Sequence, residues 1–304
     1  MDTFQISPAD NSSHAIFMRL VLILFLALLG TFIAGVLVQI LGQVMGMDYM
    51  KTVQGLTENA TNKEKNFIKI ALCISHSCTF ILPSIAFLWM TYKKDWRSPI
   101  NLQPFPKLLP SLVATLLLLV AFPLVQFIFS INKQLPIPQW AIDQENLITN
   151  TIQQLLLVNA PSELFFNLFT IAVLPAIGEE LLFRGIVQQN LEKGTKNHHI
   201  AIWLTALIFS FIHFQFQGFF PRLFLGAGLG YLFVWTRNLW IPIIAHLAYN
   251  GGQILLQYGH QQGVLGIDLN AVEMVPIWLV GVSLVGSFGL GWYFYQRRNL
   301  GDFD

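Results

Sequence analysis

Two neighbouring carboxylates, Glu179 and Glu180, and the guanidinium of Arg184 lie inside a stretch of sequence apolar enough to sit in lipid. A charge at that depth costs about 2.5–3.5 kcal/mol even on the milder insertion scales. Such groups are retained where they pair, line a wet cavity or do chemistry. Two further polar elements are embedded in apolar runs: His213, closing Phe209-Ser210-Phe211-Ile212-His213, and the pair His246/Asn250. Successive helical residues are ~100° apart, so Glu179 and Glu180 face different directions. Glu180 and Arg184, four apart, share a face in the acid-before-base order that favours an ion pair. Glu179 has no such local partner, which suits it to general-base work. A histidine relays a proton, binds a metal or donates to a developing negative charge, and an asparagine amide donates too. One acid, two histidines and an amide from separate spans therefore suffice to activate water and stabilise an oxyanion.

Each element also has a structural reading. A lone histidine in a span often makes a helix-to-helix hydrogen bond, and Glu180–Arg184 alone is a structural pair. His76, in the second apolar segment, has no polar neighbour at helical spacing and reads as packing. Glu163 reads as an interfacial cap, and His14, His198, His199 and His260 as solvated ends.

The elements that must position these groups are membrane spans. Of 304 residues, 54% are hydrophobic and 11% charged, against roughly 25% charged in a soluble domain. Mean hydropathy is +0.58. The fold class expected is all-α, a polytopic helical bundle in one transmembrane domain, 1–304. A span takes ~20 mostly apolar residues, and eight candidates follow: 16–41, 67–92, 108–131, 161–186, 199–215, 219–236, 239–257 and 275–295. With the N-terminus inside, ten Lys/Arg flank the inner side and six the outer side. That bias puts both termini in the cytoplasm. The polar start, Met1 to His14, lacks a basic region and a cleavage site, so the first span is expected to be retained. The connections 43–66 and 132–160 are long and polar; from Trp140 to Val158 the second reads as an amphipathic helix, on the outer leaflet or as an ordinary loop helix. Gly226 and Gly230 have the small-xxx-small spacing of close helix packing. Cys73 and Cys78 point to different faces and read as small buried hydrophobes. The net charge of +1 with no basic tract gives no sign of nucleic-acid binding.

The order Glu-Glu-x-x-x-Arg, Phe-x-x-x-His, His-x-x-x-Asn, each on its own apolar segment, resembles the CPBP (Abi) intramembrane proteases. These include the type II CAAX prenyl endopeptidases and the lysostaphin-resistance-like proteins. The resemblance covers residues 160–257, about a third of the chain. It implies that Glu179 is a catalytic acid which, with His213, polarises a water for attack on a peptide carbonyl. It also implies that His246 and Asn250 steady the oxyanion, with Glu180 and Arg184 in support. The partners implied are a protein or peptide substrate at the membrane and the bilayer itself, in a bacterial-type inner membrane.

The family is often labelled metalloprotease, and Glu179, His213 and His246 would make a three-ligand zinc site with one open position. The chain lacks the His-Glu-x-x-His helix that would make zinc compelling, so the cofactor expectation is none or zinc. Helix arithmetic places Glu179 and His213 at similar depths, compatible with one cavity reached from the cytoplasm. Two other classes remain: a non-catalytic membrane immunity or partner-binding protein keeping the fold, and a proton-relaying transporter. A transporter should show broken helices in matching halves, whereas the polar groups cluster in the second half.

Overall fold

Ser12 opens the first helix by accepting from the Ala15 amide (3.2 Å), and Gly46, at φ 67°, closes it. Between those signals runs α1, Ser13–Met45. The computed structural model describes residues 11–158, 160–266 and 275–298, so most of the polar start lies outside the described residues. Nine more helices follow: α2 (Tyr49–Gln54), α3 (Asn62–Asp95), α4 (Leu108–Asn132), α5 (Gln139–Leu156), α6 (Pro161–Thr195), α7 (His198–Phe211), α8 (Phe219–Thr236), α9 (Trp240–Gln261) and α10 (Ile277–Arg297). There is no strand among the described residues. Thr61 and Glu64 start α3 with a reciprocal capping box, and Pro161 starts α6 where its missing N–H costs nothing.

Six helices, α1, α3, α4, α6, α8 and α10, are long and apolar enough to cross a bilayer, and the chain is an integral membrane protein. The expected count of eight is not established. α7 has only 14 residues, ~21 Å at 1.5 Å per residue. α9 has the length, at 22 residues, but His246, Asn250, Gln253 and Gln257 dilute its apolar character. Phe17, Leu24, Phe25, Leu28 and Phe32 stand exposed along α1, as expected of a lipid-facing helix.

The main core joins Ile23 of α1, Phe87 of α3, Phe183 and Ile186 of α6, Phe209 of α7, Phe233 of α8 and Ile243 of α9. A second core sets Leu118 of α4, Leu232 of α8, Ala245 and Tyr249 of α9 and Phe294 of α10 together. α8 packs closely on α7, and on Gln188 of α6, at two glycines. A Cβ at Gly230 would stand 2.8 Å from Gln188 Oε1, and one at Gly226 3.2 Å from Phe209 Cδ1, so the packing expected of that spacing is present. α3 and α6 are not regular throughout. Residues Ser77–Ile81, Leu168–Val173 and Leu181–Gln188 are wide π turns, a rare geometry frequent at functional sites.

Some charges used to weigh orientation are internal. Arg19 and Lys69 are fully buried, and the buried Lys65 donates to the Leu157 carbonyl (3.1 Å). The two faces of the bundle are nonetheless distinct. One carries the described ends of α1 and α10 and the Glu192–Arg237 pair (2.9 Å); the other carries α2, α5 and the turn from 212 to 218.

Candidate active site

Glu180, Arg184 and His246 form one connected unit. Arg184 donates from Nη1 to Glu180 Oε1 at 2.7 Å and from Nη2 to the Gly226 carbonyl at 2.8 Å. Both side chains are fully buried. The same carboxylate oxygen accepts from His246 Nδ1 at 2.8 Å, which fixes the ring and leaves Nε2 directed elsewhere. That nitrogen lies 4.0 Å from Oε2 of Glu179. Glu179 itself is buried and has no hydrogen bond among the described residues. The two carboxylates thus have separate tasks, as their directions on a helix require: one is committed to holding an arginine and a histidine, the other is free.

His213 comes in at the end of α7. Its Nδ1 donates to the Phe209 carbonyl at 2.7 Å, so in the neutral ring Nε2 is the acceptor. The Phe209 ring joins the parts. His213 leans on it edge-on at 4.9 Å, His246 stands 6.5 Å away, and the Arg184 guanidinium sits 5.1 Å over its face. Asn250 follows His246 by one turn of α9, half-buried, with no hydrogen-bond partner among the described residues. The structure therefore brings Glu179, Glu180, Arg184 and His246 into direct reach of one another. It brings His213 to the same aromatic floor and sets Asn250 one turn further along α9.

The half-exposed members, His213, Asn250 and Arg222, all lie toward the face that carries α5. α7 starts near the end of α6 and closes at Phe211, two residues before His213.

Three residues near the site escaped the sequence reading. Arg222, counted there only as an outer charge, interacts electrostatically with Glu179, Glu145 and Tyr249. It also donates to the Gln215 carbonyl at 3.2 Å and to the Gln215 side chain. Nothing in its spacing marks it. Glu145 carried a signal: it is an acid on the apolar stripe of α5, three residues from Ile142 and from Ile148. Its carboxylate accepts from the amides of Gln217 (2.8 Å) and Gly218 (3.0 Å) and so ties the turn leading into α8 to a distant helix. Asn132 holds the Phe216 carbonyl of the same turn at 2.6 Å. Glu145→Ala is expected to lower stability by about 1.5–3 kcal/mol, the worth of a hydrogen bond to a charged group. It should also raise deuterium uptake at the amides of 212–218 in the detergent-solubilised protein; unchanged uptake there would refute this clamp. The third residue is His76 of α3, which interacts electrostatically with His213 and His246.

The donors proposed for zinc do not converge. Among the described residues no three His, Cys, Asp or Glu side chains group as a metal site. The Nδ1 atoms of His246 and His213 are taken by Glu180 and a backbone carbonyl, a pattern that leaves both Nε2 atoms open to an ion; the misfit lies in the spacing of the three side chains and not in their nitrogens.

A helical membrane bundle with this buried acid–arginine–histidine unit belongs to a recognisable class. Residues 161–252 match the family described as Rce1-like, type II CAAX prenyl endopeptidase Rce1-like, and that segment contains every motif residue from Glu179 to Asn250. The resemblance read from the three motifs is thereby shown over this segment. Among curated proteins, the chain is 32% identical over 84 residues to the uncharacterized protein YpbD of Bacillus subtilis, covering 26% of this chain and 40% of that one. It is 30% identical over 96 residues to the membrane-embedded CAAX protease MroQ of Staphylococcus aureus, covering 30% and 38%. It is 28% identical over 86 residues to the putative membrane peptidase YdiL of Bacillus subtilis, covering 28% and 35%. The chain thus spans well under half the length of these relatives. No solved structure gives a significant match.

Proposed function

We propose that this protein is an intramembrane endopeptidase that hydrolyses peptide bonds of membrane-associated proteins or peptides, with Glu179 as general base. The observation that carries this reading is the unequal state of the two acids. Glu180 is spent on Arg184 and His246, while Glu179 is buried beside His246 Nε2 with no hydrogen bond of its own among the described residues. Glu179 takes a proton from water, and the water oxygen attacks the peptide carbonyl carbon. The lone pair of His213 Nε2 helps to hold that water. Electrons of the C=O bond move to oxygen, and the oxyanion meets N–H donors: the Asn250 amide and, when the ring is doubly protonated, His246 Nε2. Preorganised donors in a water-poor site are the largest single source of stabilisation for such an intermediate. Collapse breaks the C–N bond, the amine takes the proton held by Glu179, and acid and amine leave. We route no step through a metal, since no three His, Cys, Asp or Glu side chains group as a metal site among the described residues.

The names of MroQ and YdiL, a CAAX protease and a putative membrane peptidase, support the same class of substrate here. The expected setting is a bacterial-type inner membrane with both termini cytoplasmic, and the whole chain is read as one domain. The test is cleavage of membrane-anchored peptides by purified protein in liposomes, with and without a strong chelator. Wild type is expected to cut in both, and His213→Ala to cut far more slowly. Wild-type cleavage by His213→Ala would overturn the mechanism; complete loss under chelator would overturn its metal-free form.

A further inference from the structure

His76 has no role in that mechanism and none in the motif set, and it lies outside the segment matched by the family. It nevertheless faces the site. α3 meets α6 at the turn bearing the acids: a Cβ on Gly178 would stand 3.0 Å from Phe80 Cβ and from Ile81 Cγ1. The wide turn Ser77–Ile81 begins immediately after His76, and the His76 ring stacks on Phe80 at 5.6 Å. Phe80 continues the floor under the site, 6.3 Å from Phe183, which stands 5.2 Å from Phe209. His213 and His246 rest on that same floor, and both interact electrostatically with His76. The Nδ1 atom of His76 is buried and has no hydrogen-bond partner among the described residues. A buried polar atom without a partner is costly and calls for an occupant.

We propose that His76 is a third imidazole of the site and holds the attacking water through Nδ1, opposite Glu179. This rests on the peptidase reading. It adds a group from α3 to a site otherwise built from α6, α7 and α9.

Two variants separate this from packing. His76→Phe keeps the ring stacked on Phe80 and removes the nitrogens; His76→Asn returns a polar group near the Nδ1 position. His76→Phe is expected to lower kcat about 10- to 100-fold, less than the roughly 100- to 1,000-fold of losing one oxyanion donor, with KM unchanged. His76→Asn should recover most of that loss. An unchanged kcat in His76→Phe, a change confined to KM, or an Asn variant as slow as the Phe variant would each overturn the proposal. A readout without turnover keeps it separable from the peptidase reading. In the full chain labelled with ¹⁵N-histidine in micelles, the His76 signal, identified by its loss in His76→Phe, should move in both His213→Ala and His246→Ala. If neither substitution moves it, His76 does not share the pocket, whatever the protein cleaves.

Discussion

Glu179→Gln is expected to lower kcat/KM for peptide cleavage by about 100- to 10,000-fold, the range a positioned proton acceptor contributes. Glutamine has the same shape and no basic oxygen to take the proton from water. Glu179 makes no hydrogen bond among the described residues and lies 4.0 Å from His246 Nε2, so little structure is lost with the charge. The unfolding midpoint in detergent should therefore stay close to wild type. Cleavage at the wild-type rate would remove the general base from the mechanism and the mechanism with it. A large fall in the midpoint would mean that Glu179 is a structural acid after all.

Arg184→Met should have the opposite signature, with stability falling first. The guanidinium holds Glu180 and the Gly226 carbonyl and lies over Phe209. Taking it away leaves a carboxylate buried with only His246 beside it. Breaking one side of a buried pair costs about 3–5 kcal/mol, whereas replacing both sides by apolar residues is often nearly neutral. The double variant Glu180→Leu/Arg184→Met should accordingly regain much of the thermal stability. It should regain none of the activity, because His246 loses the acceptor that orients its ring. Thermal unfolding and the cleavage assay on the two variants check both halves. If the double variant is as unstable as the single one, the pair is not the source of the cost.

The helical class and the motif pairings were legible because they are local. Glu180 and Arg184 meet through a four-residue spacing on one helix, and Phe209 and His213 through another. Charge in lipid is also conspicuous by composition alone. Contacts between helices were not legible. Nothing in the spacing shows that His246 of α9 lies on Glu180 of α6, or that Arg222 of α8 is held by the Gln215 turn. His76 shows the limit most clearly: along α3 it stacks on Phe80, while the two imidazoles that interact with it belong to α7 and α9 and are remote in sequence. The charge count suffered from the same blindness, since Arg19, Lys65 and Lys69 are buried by tertiary packing, which a tally of flanking residues does not register. α9 failed the apolarity expected of a span because it carries His246, Asn250, Gln253 and Gln257.

The brevity of α7 bears on the bilayer itself. A strut of 14 residues is about a third shorter than the ~30 Å hydrocarbon slab. Lipids beside it must thin, or headgroups must sink, to meet its end. The dent that results lies over His213, where the proposed hydrolysis would need water that an undisturbed film withholds. On that reading the cost of wetting a buried peptide bond is transferred from the substrate to the surrounding lipids.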